Sequence, residues 1–149
     1  MTFRERAREA YDIEVDVQEF PEGTKTASEA AEAIGCDPRQ IASSIVLVAD
    51  VPVVVVISGP DRVDTRKLAT VRGVHEARLA DPDEVKEATG WPVGGVPPFC
   101  HETALPVYVD EAVTDHDTVW AAAGTPNTVF PIAPDSLIEC ADATVVDVT

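Results

Sequence analysis

The stretch SIVLVADVPVVVVIS, residues 44–58, places two apolar runs on either side of Asp50, Val51 and Pro52. β-Branched residues in runs this short favour strands, and so tight a connection between two of them reads as a β-hairpin. The second run, VPVVVVI at 51–57, is bounded by Asp50 and Gly59 and shows no polar alternation. It reads as a buried strand rather than one with a wet face. No apolar run approaches the ~18 residues that would span a bilayer. The opening MTFRERAREAY lacks the apolar block of a signal peptide, so a cytoplasmic protein without a membrane partner is expected.

Helix signals surround this hairpin. Residues 3–11 form a charged amphipathic opening. Thr26 and Glu29 make a capping box for ASEAAEAI, which Gly35 stops. Asp37 with Pro38 begins a short helix expected to run to about Ser43. Asp64 caps TRKLATV before Gly73, and Asp81, Pro82 and Glu84 open PDEVKEAT before Gly90. Strands are predicted for the alternating IEVDVQEF at 13–20 and near 75–79, 106–109, 118–123, 128–132 and 143–148. Helices gather in the first two-thirds and short strands in the last, without strict βαβ repetition. The prediction is an α/β fold of the α+β type, a single domain over 1–149 with a mixed sheet and flanking helices.

Charge narrows the partners. The 27 acidic side chains against 11 basic ones give a net charge of −16. Such a surface repels nucleic acid at low salt and argues against a DNA partner. The acids are spread along the chain, which fits adaptation to a salt-rich cytoplasm better than a single basic partner. Arg62, Arg66, Lys67, Arg72 and Arg78 form the one cationic concentration; it suits phosphates, or simply pairs with nearby acids. The cysteines Cys36, Cys100 and Cys140 and the histidines His75, His101 and His116 are dispersed, so no metal site is expected. Cys36 and Cys140 read as small buried hydrophobes.

Three segments carry candidate chemistry. TGWPVGGVPPFC, residues 89–100, holds three glycines and three prolines. Gly94 and Gly95 let the backbone approach a ligand, and Pro97 and Pro98 stiffen the exit. Such a loop can direct N–H groups at a carbonyl oxygen or phosphate, or merely connect two elements. Cys100 and His101 are adjacent, point to opposite sides of an extended chain, and do not suit a nucleophile–base pair. Ser43 and Ser44 sit where the short helix is expected to feed a strand. Their hydroxyls either face a pocket or satisfy the helix end.

In this order, QIASSIV, VDTRKLA, ADPDEVKEATGWPVGGVPPF, AAAG and APDSL resemble the YbaK/ProX family of aminoacyl-tRNA deacylases, related to the editing domain of bacterial prolyl-tRNA synthetase. The resemblance runs from about residue 13 to the end. It implies a mixed, barrel-like sheet and a pocket for the 3′ aminoacyl-adenosine of a mischarged tRNA, with hydrolysis needing no metal or cofactor. A synthetase is a second implied partner. Carried onto this chain, Ser43, Gly94, Gly95 and Asp135 are the candidate catalytic residues. Ser44, Val96, Pro97, Phe99 and Gly124 are the candidate substrate-binding ones, and Lys25, Arg66 and Lys67 the candidate nucleic-acid contacts. Two positions depart from the family pattern: Ser43 replaces a lysine, and Cys100 replaces a glycine. The lost lysine charge leaves two readings open, a trans-editing hydrolase or a weakened module that only binds the tRNA end or a synthetase.

Overall fold

The computed structural model describes residues 2–20 and 26–149. Local caps set the helices. Thr2 accepts the Glu5 N–H to open α1 (Phe3–Tyr11), and Thr26 accepts the Glu29 N–H to open α2 (Ala27–Ile34). Asp64 caps α3 (Thr65–Arg72), and a reciprocal Asp81–Glu84 box opens α4 (Pro82–Thr89). Gly35, Gly73 and Gly90 end α2, α3 and α4 in the left-handed conformation, as a helix stop requires.

The predicted hairpin is the centre of the sheet. β2 (Ile41–Ala49) pairs antiparallel with β3 (Val51–Ser58) from Ala42↔Ser58 to Ala49↔Val51, and Asp50 at the turn has φ +73°. β3 is buried on both faces. Val54 and Val56 join Phe3, Phe99, Phe130 and Leu137 on one side, while Val53, Val55 and Ile57 meet Leu47, Leu68 and Val148 on the other.

The remaining strands are β1 (Gln18–Glu19), β4 (Arg78–Leu79), β5 (Val107–Asp110), β6 (Val119–Ala122), β7 (Thr128–Ile132) and β8 (Thr144–Val146). Their order is β1-β7-β6-β2-β3-β5-β8, with β4 pairing β2 beside this path. Parallel pairs (β2–β6, β3–β5, β5–β8) and antiparallel ones mix as expected. The sheet is not a closed barrel, because β1 and β8 end the path without pairing each other. Among the described residues no helix is long and apolar enough to cross a membrane.

Three local expectations need correction. Of residues 13–20, only Gln18 and Glu19 join a ladder; Ile13, Val15 and Val17 still alternate inward against the core. The helix from Asp37 is a single 3-10 turn, Pro38–Gln40, closed by its own Asp37–Gln40 capping box. Ile41 already belongs to β2, so Ser43 and Ser44 are strand residues, not a helix end. APDSL begins an unpredicted helix, α5 (Pro134–Ala141), whose N-cap Ala133 supplies no side-chain cap. Pro134 at the first helical position was the signal available for it.

Candidate functional site

The site arises from a gap on one edge of β2. Along that edge β6 pairs only Ile41 and Ala42, and β4 pairs only Leu47 and Val48. The Val46 carbonyl accepts from Ala80 N at 3.1 Å just beyond β4. Among the described residues no strand pairs Ser43–Ile45 on this edge. Peptide groups alternate edges along a strand. Ser44, two residues from Val46, therefore turns its N–H and C=O into the gap.

A cavity of about 550 Å³ fills this gap. Ile41–Val46 form its long wall, with Thr26, Ala27, Ala30, Trp120 and Ala122 toward one end and Leu79, Ala80 and Val85 toward the other. Val93, Gly94, Val96, Pro126, Thr128 and Val129 complete the lining. Ser43 is paired with Ile57 and Ser44 with Val56, so their side chains leave opposite faces of β2. Both reach the cavity because it lies at the open strand edge. The Ser44 Oγ is buried without a hydrogen-bond partner. A buried hydroxyl is normally satisfied, so this one stands out as an open hydrogen-bonding group on the cavity wall.

No ionisable side chain is among the described residues of the lining. The Thr26 hydroxyl is engaged with Glu29 N at 3.1 Å, and that of Thr128 with Thr125 Oγ1 at 2.7 Å. The hydroxyls of Ser43 and Ser44 and the Trp120 indole N–H, together with backbone, remain as the polar equipment among the described lining residues.

The glycine-rich loop forms the opposing wall. Gly94 has φ +85°, a conformation glycine tolerates without strain. Gly95 N–H is engaged with the Pro92 carbonyl at 2.9 Å, and its carbonyl accepts from Gly124 N at 2.9 Å. A Cβ at Gly95 would come within 2.8 Å of the Thr125 backbone. The loop is therefore pressed directly onto the 124–128 turn.

Of the residues picked from sequence, Ser43, Ser44, Gly94 and Val96 are brought together on the cavity. Gly95, Pro97, Phe99 and Gly124 lie behind it. Pro97 holds His101 Nε2 through its carbonyl at 2.8 Å, and Phe99 stacks among Phe3, Tyr11 and Phe130. A Cβ on Gly124 would meet the Trp91 ring at 2.7 Å. Asp135 is exposed in the first turn of α5 and does not line the cavity. Arg66 and Lys67 are on α3, also off the lining, and Lys67 is paired with Asp147 at 3.2 Å. Lys25 lies outside the described residues.

Cys100 is buried at φ +66°, and burial pushes its thiol up to about 11, which keeps it protonated and poorly nucleophilic. It borders a separate cavity with Cys140. Burial also lowers the pKa of His101. Cys36 and Cys140 are half-buried rather than buried. Among the described residues no three His, Cys, Asp or Glu side chains are placed to hold a metal. Sequence reading missed Trp120, Ala80, Val85 and Thr128, because tertiary packing of β6, β7, the end of β4 and α4 rather than any local motif brings them to the wall.

Comparison with known proteins agrees with this architecture. Residues 21–140 match the family described as the aminoacyl-tRNA editing domain. An uncharacterized Bacillus subtilis protein, YwhH, is 34% identical over 128 residues, covering 85% of this chain and 81% of its own. EbsC of Enterococcus faecalis, named as a candidate Cys-tRNA(Pro)/Cys-tRNA(Cys) deacylase, is 25% identical over 126 residues, 83% of this chain and 77% of its own. A solved structure described as a candidate trans-editing enzyme for prolyl-tRNA synthetase superimposes with a TM-score of 0.90 at 38% identity, covering 99% of this chain and 96% of that one. By sequence match over most of its length and by fold, this chain belongs to the aminoacyl-tRNA editing domain family.

Proposed function

We propose that the protein is an aminoacyl-tRNA deacylase that acts in trans, hydrolysing the ester of mischarged tRNA. The observation that carries this reading is the unpartnered Ser44 hydroxyl on an open strand edge, in a cavity that Gly94 also lines and whose described lining residues include no ionisable side chain. Water adds to the ester carbonyl carbon, and the carbon–oxygen bond to the ribose then breaks, releasing the amino acid and a free tRNA hydroxyl. Backbone donors near Gly94 stabilise the developing oxyanion, while Ser43 and Ser44 orient the ester or the water. With no base among the described lining residues, the proton passes to groups of the substrate or to solvent. Asp135, exposed in the first turn of α5 and off the described lining, is given no role in this reading.

We read residues 1–149 as one editing domain. The resemblance of 115 residues to part of a Lactobacillus johnsonii proline–tRNA ligase, at 31% identity, supports a tRNA and synthetase partnership. That stretch is 20% of the ligase, so the ligase's own activity is not carried over. The charge of −16 supports a salt-rich cytoplasm.

Purified protein at molar salt, offered a panel of charged tRNAs, tests the reading. Acceleration over spontaneous deacylation for at least one of them is expected; none for any would refute it. A module that only binds is favoured by Ser43 standing where the family has lysine. Ser43→Lys separates the two, since gained activity marks a degenerate site and strong activity in the unaltered protein excludes one.

A further inference from the structure

Resting on the deacylase reading, we infer that Trp120 is the platform on which the terminal base of the substrate stacks. It is the one aromatic side chain among the described cavity-lining residues. Its position follows from sheet pairing, since β6 runs parallel to β2 and sets Trp120 against Ile41. The indole is half-buried, packing on the Ala30, Ala31 and Ile41 cluster while also bordering the cavity. Its N–H has no acceptor among the described residues, whereas the other tryptophan, Trp91, donates to the Cys100 carbonyl at 3.0 Å. Trp120 is only half-buried and its N–H is not among the buried unpartnered atoms, so the indole keeps an accessible donor beside an apolar surface.

The cavity's length supports the assignment. From Ile41, beside Trp120, to Val46, beside Ala80, β2 advances about 16 Å at the usual strand rise. Ser43 and Ser44 lie between these ends. A nucleoside ester placed with its base on Trp120 and its carbonyl near the serines points its acyl group toward Ala80 and Val85. Electrostatics favours the same arrangement. The described lining holds no Lys or Arg, and the chain carries −16, so phosphate contacts are a poor source of affinity here. Base stacking on an aromatic face draws on the base itself and needs no cation.

The test uses the full chain and a non-hydrolysable ligand, 3′-alanylamino-3′-deoxyadenosine, with its counterpart lacking the base. Binding of the adenosine compound should change tryptophan emission in the unaltered protein, and Trp120→Phe should abolish that change while retaining affinity. Trp120→Leu should weaken binding roughly 5- to 150-fold, the range for losing one stacked base. The baseless compound should bind Trp120→Leu and the unaltered protein equally, a readout that a folding defect would not spare. In turnover of a charged tRNA, Trp120→Leu should raise KM more than it lowers kcat. Equal affinity of Trp120→Leu for the adenosine compound, with deacylation intact, would overturn the platform and leave the deacylase standing. Failure of the unaltered protein both to bind the compound and to deacylate any tRNA would overturn both.

Discussion

Gly95→Ala is the sharpest probe of the loop that faces the serines. The added Cβ would lie 2.8 Å from the N, Cα and C atoms of Thr125. To relax to an ordinary contact of 3.4 Å, one backbone must move by about 0.6 Å. The Thr125 side is poorly able to give, because Gly124 N is bonded to the Gly95 carbonyl at 2.9 Å and Thr125 N to Thr128 Oγ1 at 3.3 Å. The loop therefore moves, carrying Gly94 and Val96 away from their places on the cavity wall. Overpacking of this kind costs about 1–3 kcal/mol in stability. A displacement of about 1 Å at a reacting centre costs about 100-fold in rate, so a loss of at least tenfold in kcat/KM is expected for the smaller shift. Gly73→Ala supplies the control. Its φ is +69° with nothing within 4 Å, so it adds backbone strain alone at a site remote from the cavity. It should lose about 1 kcal/mol and keep its rate. Urea denaturation and deacylation kinetics on the same preparations decide the matter. Gly95→Ala with unaltered stability and unaltered kcat/KM would refute the close packing of loop and turn.

Other expectations follow from single contacts. Asp110 is 1% exposed and accepts from Val148 N at 3.0 Å, Ala112 N at 3.1 Å and Thr149 Oγ1 at 3.3 Å. Asp110→Ala should cost about 3 kcal/mol in urea unfolding, since it orphans buried donors of a charged acceptor; a loss below about 1 kcal/mol would contradict this. Cys100→Gly removes a side chain from φ +66° and should stabilise by up to about 1 kcal/mol with unchanged deacylation, which a drop in rate would disprove. Arg78 and a backbone N–H hold the exposed Glu84 carboxyl at about 2 against an ordinary 4.5. A lowered carboxyl pKa stabilises the fold above its unfolded value, so this small contribution fades as pH falls from about 4.5 through about 2. The thermal midpoint of Glu84→Gln should accordingly converge on that of the unaltered protein in acid, and a difference independent of pH would argue against the pair.

The helices were legible wherever both cap and stop sat within a few residues of the periodic segment, as at Thr26 and Gly35 or Asp81 and Gly90. α5 was not, because its N-cap is Ala133 and only Pro134 marks its start. The glycine-rich wall was legible too, yet the roles within it divided unexpectedly. Gly94 and Val96 border the cavity, while Gly95 and Gly124 hold the loop to its neighbours.

By itself the sequence determined the central hairpin, four of the five α-helices, the stiff loop before Cys100 and the family, because each depends on neighbouring residues or on a run of motifs in order. Only the tertiary structure decided where the cavity opens. The gap along Ser43–Ile45 exists because β6 stops at one end of β2's edge and β4 begins at the other. These partners lie far apart in the chain, so no local pattern announces the gap. The same long-range pairing brings Trp120 to the wall. Asp135, which the motif placed among the candidates, stands on an exposed helix turn off the described cavity lining.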